Sequence, residues 1–186
     1  IGNPAQLTEQ LTDLPVEKIS RQGAPQGKRH MLFLNPMQGA AQTSVLLLQA
    51  ALARNMRTIV YTQSRKMTEL ISLWAGQRCK AYAERISAYR AGFLPEERRE
   101  IEGKLSSGKL LAVISTSALE LGIDIGSLDL CILVGYPGSV MATWQRGGRV
   151  GRDQQESAVI LLAHEDAHNH YLMTNPKERS QLKPWP

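Results

Sequence analysis

Short aliphatic runs recur along the chain, separated by longer stretches in which apolar residues fall at helical spacing. Five runs stand out, at residues 31–34, 58–61, 110–114, 130–134 and 159–162. The apolar residues of each run do not alternate with polar ones, which is typical of strands buried on both faces of a parallel sheet. The pattern therefore predicts an α/β domain with a mostly parallel central sheet.

Helices are predicted between these runs, and several have recognisable ends. Residues 43–54 are rich in leucine and alanine and form the first helix. Ser64 can cap a second helix, which runs towards Gly76. Pro95 suits the first position of a third helix, and Gly108 ends it. Strand and helix alternate repeatedly, which again favours a parallel sheet.

Composition narrows the class of protein without identifying it. The 186 residues, of which 42 % are apolar, are enough for one sizeable domain with its own core. A net charge of +5 favours a polyanionic partner. Cys79 and Cys131 lie far apart without metal-ligand spacing, which favours buried free thiols in a reducing compartment. No apolar run approaches the length of a membrane span, so we expect a soluble, cytoplasmic protein with no membrane partner.

A near match to a phosphate-binding loop lies at residues 103–110, with the sequence GKLSSGKL. Such a loop requires a strand before it, a helix after it and a hydroxyl group after the lysine. Here a predicted helix precedes the segment, and Leu110 takes the place of the hydroxyl-bearing residue. We interpret the segment as a helix C-terminus.

A match to the zinc-protease pattern HExxH lies at His164, Glu165 and His168. Two histidines at this spacing share a helix face, where they can bind zinc beside a general base. The longer pattern fails because Thr174 occupies the position of the third histidine. A zinc metalloprotease is therefore only a remote alternative, and the polar start of a helix is the favoured interpretation.

The segment QRGGRVGR, at residues 145–152, concentrates arginine and glycine. In a helix, Gln145, Arg149 and Arg152 would lie in one stripe along one face. Arg146 would lie outside this stripe, because its position does not match the helical spacing. A stripe facing the core would be apolar, whereas guanidinium groups match phosphate oxygens. Each glycine weakens a helix by up to about 1 kcal/mol, which is tolerable where the backbone packs closely. The pattern predicts a phosphate-facing helix with close backbone packing at its glycines, Gly147, Gly148 and Gly151.

A companion segment follows the predicted strand at residues 110–114. Ser115, Thr116 and Ser117 come at its carboxyl end, where ligands gather in open α/β sheets. Further on, Gly122 frees the backbone, and Asp124 carries a carboxylate that can hold a ribose hydroxyl. An alternative interpretation is that Asp124 only caps a turn.

Together, residues 115–125 (STSALELGIDI) and 145–152 resemble motifs V and VI of superfamily 2 helicases. The similarity is closest to the YprA-like branch of ATP-dependent DNA helicases and covers about residues 30–165, as a second RecA-like domain with a three-layer α/β/α fold. Further stretches carry the resemblance: TSALELGIDIGSLD at 116–129, VGYPGS at 134–139, TWQRGGRVGR at 143–152, a match to motif IV at 58–65 and a match to the short motif after it at 89–92.

The resemblance also implies a domain organisation. Residues 1–28 correspond to the tail of the first RecA-like domain plus a linker, residues 29–172 to the second RecA-like domain, and residues 173–186 to the start of a connection to a C-terminal region. Because the chain opens and stops without closing elements, we expect it to be a fragment.

The sequence departs from the pattern of this branch at two positions and from that of the DEAD-box proteins at a third. Arg146 and Gly147 stand where the branch usually has glutamine and alanine. Leu121 stands where DEAD-box proteins have arginine, which points away from that RNA-dedicated class.

For the nucleotide, the resemblance implies an ATP site between two RecA-like domains, with Mg²⁺ ligands on the first. Arg149 and Arg152 would reach the γ-phosphate, with Arg152 as the arginine finger that stabilises the transition state. Gln145 would sense the nucleotide, and Asp124 would hold the ribose or bridge to the arginines. Gly122 belongs to the same ATP-binding set.

For the nucleic acid, the resemblance implies contacts to the phosphates of a single strand, and the choice of DNA rests on the family alone. Such contacts position the strand and are largely blind to its sequence. The implied residues are Ser64, Arg65, Arg90, Gly92 and Thr116. The resemblance therefore implies that the full-length protein is an ATP-dependent helicase. This fragment alone is expected to be inactive. The alternative is a nucleic-acid-binding module without an ATPase role, a degenerate helicase half, which would have little reason to keep Gln145, Arg149 and Arg152.

Overall fold

The sheet consists of parallel strands throughout the part of the chain that the computed structural model describes, which is residues 4–19, 27–89, 92–119, 126–151, 155–164 and 171. Its strand order is β1-β6-β5-β2-β4-β3, and every pairing between neighbours is parallel. The strands are β1 (Arg29–Leu34), β2 (Thr58–Tyr61), β3 (Ile86–Tyr89), β4 (Ala112–Ser115), β5 (Leu130–Val134) and β6 (Ser157–Leu162).

Helices connect the strands and cover both faces of the sheet. They are α1 (Pro4–Thr12), α2 (Ala40–Leu52), α3 (Arg65–Arg78), α4 (Pro95–Ser106) and α5 (Val140–Gly147), with short 3-10 helices at Lys80–Arg85 and Ser117–Leu119. None of the helices within the described ranges has the length and apolar character that crossing a bilayer demands. The predicted three-layer α/β/α fold with a parallel sheet is confirmed.

Each central strand contributes side chains to two cores, one on each face. In β5, Leu130, Ile132 and Val134 pack with α2 and α3, while Cys131 and Leu133 face the opposite core. All residues of β2, β4 and β5 are buried. Burial on both faces explains why the sequence runs are apolar without alternation.

Several helix ends fall where the sequence predicts them. The Ser64 hydroxyl accepts a hydrogen bond from the Met67 N–H at 3.2 Å and caps α3. Pro95 is the first residue of α4, and the Leu94 N–H donates to the Glu97 carboxylate at 2.8 Å. Gly108 follows α4 with a φ of 74°, in the left-handed region that favours glycine.

Three elements differ from the sequence predictions. β3 is not predicted, because its sequence ISAY is short and includes two small residues. Residues 4–12 form α1 although they show no strong apolar period, and all of the helix's residues are at least partly exposed. The strand predicted at 110–114 begins at Ala112, and the Leu110 N–H instead donates to the Lys104 carbonyl of α4 at 2.9 Å.

Tyr89 ties α4 to the edge strand β3. Its side chain is 1 % exposed, and its hydroxyl donates a hydrogen bond to Glu102 Oε1 at 2.7 Å. Burial, reinforced by the hydrogen bond to the Glu102 carboxylate, raises the pKa of Tyr89 to about 12. Tyr89 is the last residue of β3 and immediately precedes Arg90 in the sequence. The contact therefore fixes the point at which the connection from β3 to α4 begins.

We expect Tyr89→Phe to lower the free energy of unfolding by roughly 1.5 kcal/mol, because it removes a hydrogen bond to a carboxylate. The pKa of Tyr89 is raised on folding, so the stabilisation by its hydroxyl is fully present below pH 10 and is lost as the pH rises towards about 12. Urea unfolding of both proteins across this pH range measures the difference.

Tyr82→Phe is the matched control, since the Tyr82 hydroxyl makes no hydrogen bond within the described residues and the change should stay within about 0.5 kcal/mol. A wild-type advantage over Tyr89→Phe that grows above pH 10 would contradict the role given to this hydroxyl.

Candidate functional site

The arginine-rich segment begins on α5 but leaves the helix before Arg149. The Ser139 hydroxyl caps α5 by accepting from the Ala142 N–H at 3.0 Å, and the helix ends at Gly147. The Arg149 N–H donates to the Arg146 carbonyl at 3.3 Å, a three-residue spacing that belongs to a turn. The prediction of one helical stripe from Gln145 to Arg152 is therefore wrong. Weak helix propensity at Gly147 and its glycine neighbour lets the chain turn instead.

Arg149 lies at the edge of the sheet where the strands begin, which we call the amino edge. Val150 pairs in parallel with Leu128, just before β5, and the Gly151 N–H donates to the Leu128 carbonyl at 3.0 Å. Arg29 Nη2, at the start of β1, donates to the Val150 carbonyl at 3.0 Å. Arg149 is only 7 % exposed. These backbone contacts fix the turn on which its guanidinium is carried.

The glycines of this segment are required by close packing, as the sequence predicts. A Cβ on Gly147 would lie 3.2 Å from Val159 Cγ2. Gly151 has a φ of 69°, and a Cβ there would collide with the Ser157 hydroxyl. The segment therefore packs closely against β6: a side chain at Gly151 would clash, and one at Gly147 would require Val159 to shift by a few tenths of an ångström.

Arg146 is a residue whose importance the sequence analysis missed. It is 9 % exposed, and its guanidinium carbon lies 5.5 Å from the centre of the Tyr61 ring, a cation–π distance. Its carbonyl accepts a weak hydrogen bond from the Cys131 thiol at 3.8 Å. Burial raises the pKa of the Cys131 thiol far above its ordinary value, although the Arg146 charge partly lowers it. Arg146 is thus part of the core. It lies outside the predicted stripe of Gln145, Arg149 and Arg152, but it is not a surface residue.

Three other predicted residues lie at the opposite edge, where the strands end, which we call the carboxyl edge. Ser64 and Arg65 follow β2 at the start of α3, and both are exposed. Thr116 follows β4 and is half-buried. Ser64 is already engaged in capping α3, so its hydroxyl is held in place beside the exposed Arg65.

Hydrogen bonds join the turns of the carboxyl edge to one another. The Thr62 N–H donates to the Ser115 carbonyl at 2.8 Å, which links the turn after β2 to the end of β4. Gln63 Nε2 donates to the Tyr136 carbonyl at 3.0 Å, which links the same turn to the one after β5. Gly135 leaves room for this amide, because a Cβ there would meet the Gln63 side chain at 2.9 Å from Cδ.

The predicted site residues therefore divide between two edges and do not surround one ligand. β2 and β4 have four residues each, so at about 3.3 Å per residue the edges are about 13 Å apart. Arg149 lies at the amino edge and Thr116 at the carboxyl edge. Gln145 is exposed on α5, which runs between the edges.

The remaining candidates are placed only in part. Gly92 follows β3, and a Cβ there would meet nothing within 4 Å, so packing does not require glycine at this position. His164 is half-buried directly after β6. No three His, Cys, Asp or Glu side chains of the described residues are grouped as a metal site. The other predicted residues lie outside the described residues: Arg90, Gly122, Asp124, Arg152, Glu165 and His168.

Comparisons with known proteins agree on one family. The model of the helicase conserved C-terminal domain matches residues 42–154. The chain is 40 % identical to the ATP-dependent helicase YprA of Bacillus subtilis, across 95 % of this chain and 25 % of the relative. It is 30 % identical to the ATP-dependent helicase HRQ1 of Saccharomyces cerevisiae, across 87 % of this chain and 16 % of the relative.

A solved structure gives the same result for the fold. The crystal structure of the DUF1998 helicase MrfA bound to DNA and AMPPNP matches with a TM-score of 0.91 and 39 % identity, across 97 % of this chain and 27 % of that chain. The resemblance to the YprA-like branch is confirmed. The chain spans about a quarter or less of the length of these relatives.

We expect Gly151→Ala to lower the free energy of unfolding by at least about 1 kcal/mol, because a left-handed φ costs a non-glycine residue about that much and the new methyl group meets Ser157. Gly103→Ala is the matched control, since Gly103 lies on an exposed part of α4 with nothing within 4 Å of a Cβ. Alanine there should stabilise the protein by about 1 kcal/mol.

Urea unfolding of the two variants measures both changes. Opposite signs are expected. Equal stability of Gly151→Ala and the wild type would show that the turn after α5 is not packed as described.

Proposed function

The chain belongs to the helicase conserved C-terminal domain family, and on that premise we propose that it acts as the second RecA-like domain of an ATP-dependent DNA helicase. Its amino edge completes an ATP site, and its carboxyl edge holds a single strand of DNA. The observation that carries this proposal is the position of Arg149, buried in a turn whose backbone is paired to the start of β5, at the edge opposite Arg65 and Thr116.

The amino edge suits the triphosphate of a nucleotide. A guanidinium held in a fixed turn presents a planar fork to phosphate oxygens and needs little reorganisation during the reaction. Arg152, three residues further on, is the proposed finger that stabilises charge as the γ-phosphoryl group leaves. The crystal structure of the DUF1998 helicase MrfA bound to DNA and AMPPNP supports this choice of ligand.

The rest of the nucleotide site is assigned by the same proposal. Gln145 senses the nucleotide from α5, and Gly122 and Asp124 hold the ribose. Magnesium bound to the phosphates would neutralise their charge during transfer. We assign its ligands to the first RecA-like domain, as the family resemblance implies.

The carboxyl edge suits a nucleic-acid backbone. Arg65 stands exposed at the N-terminus of α3, where the helix dipole also favours a phosphate. Ser64 and Thr116 add hydroxyl groups from the two turns that the Thr62–Ser115 hydrogen bond joins, and Arg90 and Gly92 extend the surface beyond β3. Backbone contacts of this kind position a strand without reading its bases. The DNA-bound structural relative supports DNA as the strand.

Movement of the strand follows from the separation of the edges. Closure of the two RecA-like domains around ATP brings the amino edge against the first domain, and hydrolysis lets the domains reopen. A strand held at the carboxyl edge is carried along by that rigid-body motion. The proposed outcome is directional translocation, from which unwinding follows.

We expect Arg152→Lys in the full-length protein to lower DNA-stimulated ATP turnover by roughly 10³-fold or more, the range measured for arginine fingers. Lysine keeps the charge but loses the planar fork, and a finger acts on charge that develops in the transition state. Nucleotide affinity should therefore change much less than turnover. Arg149→Lys should also impair turnover.

Arg99→Lys is the control, because Arg99 is an exposed arginine of α4 to which the proposal gives no role. Arg146→Lys would be a poor control, since its guanidinium lies on the Tyr61 ring. Near-normal DNA-stimulated turnover in both Arg149→Lys and Arg152→Lys would show that the roles given to these arginines are wrong. A wild-type protein that binds DNA but does not hydrolyse ATP would instead favour the nucleic-acid-binding module without an ATPase role.

A further inference from the structure

Tyr61 is a buried side chain that contacts segments belonging to both edges of the sheet. It is the last residue of β2, at the centre of the sheet, and it is 1 % exposed. Its hydroxyl donates a hydrogen bond to the Leu119 carbonyl at 3.0 Å. Its ring lies under the Arg146 guanidinium at 5.5 Å.

On one side, Tyr61 is connected to the turn that carries Thr116. Its backbone pairs with Ser115 at the end of β4. The carbonyl that accepts the hydrogen bond from its hydroxyl belongs to Leu119, which is buried. Leu119 is the last residue of the short 3-10 helix that begins immediately after Thr116. A shift of this turn when a phosphate binds would therefore change the hydrogen bond between the Tyr61 hydroxyl and Leu119.

On the other side, Tyr61 is connected to the turn that carries Arg149. Arg146 belongs to the last turn of α5, and its carbonyl accepts the Arg149 N–H at 3.3 Å. The position of Arg146 therefore determines where the turn towards the amino edge starts. A buried guanidinium is costly unless its charge is compensated, and the face of the Tyr61 ring supplies part of that compensation.

The chemistry of the two side chains argues for more than packing. A leucine and a methionine would fill the same space without placing a buried charge on a ring or a hydroxyl on a single carbonyl. Instead, two directional contacts meet on one aromatic ring, one to each segment. Directional contacts transmit position, because a small displacement of either partner changes their geometry.

Because one ring joins the two turns, we propose that Tyr61 and Arg146 are positioning residues that couple the edges: DNA bound at the carboxyl edge sets the position of Arg149 at the amino edge. The inference deepens the proposed function and rests on it. Neither residue touches DNA or nucleotide. The pair acts only through Leu119 and through the turn after α5.

The test uses the full-length protein with Tyr61→Phe, Arg146→Gln and the double variant. Tyr61→Phe keeps the ring and removes the hydroxyl that donates to the Leu119 carbonyl, while Arg146→Gln removes the charge over the ring. ATP turnover is measured without DNA and at saturating single-stranded DNA, together with the KM for ATP and the Kd for DNA. Tyr82→Phe is the control variant.

We expect turnover without DNA, the KM for ATP and the Kd for DNA to match the wild type in each single variant. The stimulation of turnover by DNA should fall by about five-fold or more, as for a coupling between two sites. The double variant should lose no more than the worse single variant, because both changes break the same connection.

The outcomes separate the failure of this inference from that of the proposed function. A wild-type protein without DNA-stimulated turnover overturns the proposed function and the coupling with it. A stimulated wild type whose folded Tyr61→Phe variant is stimulated equally overturns the coupling alone. A parallel fall of turnover with and without DNA assigns the pair a purely structural role, and if Arg146→Gln does not fold, Tyr61→Phe decides by itself.

Discussion

Parallel pairing of the strands is the constraint on which the rest of the structure depends. Because the described strands all run in one direction, they begin at one edge of the sheet and end at the other. The crossover connections, most of which contain an α-helix, then cover both faces and make the central strands apolar throughout. The same polarity gives the domain two chemically different edges about 13 Å apart, and it is the reason why one small sheet has room for the two proposed sites.

The amino edge depends on a close approach of backbone to sheet. Gly147 and Gly151 let the turn after α5 pack closely on β6, where a Cβ at Gly147 would crowd Val159 and one at Gly151 would clash with Ser157. The cost in helix stability is up to about 1 kcal/mol per glycine, whereas a buried guanidinium without compensation costs more. The structure offsets the second cost by setting Arg146 over the Tyr61 ring. A segment selected for stability alone would have neither the glycines nor the buried arginines.

Much of this fold follows from the sequence, and the exceptions have a common cause. Apolar runs without alternation predict the buried strands, and local chemistry predicts the ends of α3 and α4 at Ser64 and Pro95. The end of α5 is not predictable in this way, because it depends on pairing of Val150 with Leu128, a contact distant along the chain. The burial of Arg146 likewise depends on a ring contributed by β2. Helical spacing alone cannot detect either contact, and the roles of Arg149 and Arg152 come from the family resemblance.

The division of ligands between the two edges is the central claim, and amide hydrogen exchange tests it most directly. Exchange in the full-length protein would be measured with a non-hydrolysable ATP analogue alone and with single-stranded DNA alone. The account predicts that the analogue protects the amides of residues 145–151 most strongly, and that DNA protects those of residues 62–67 and 115–117. Strongest protection by both ligands at the same edge, or by the analogue at residues 62–67, would contradict it.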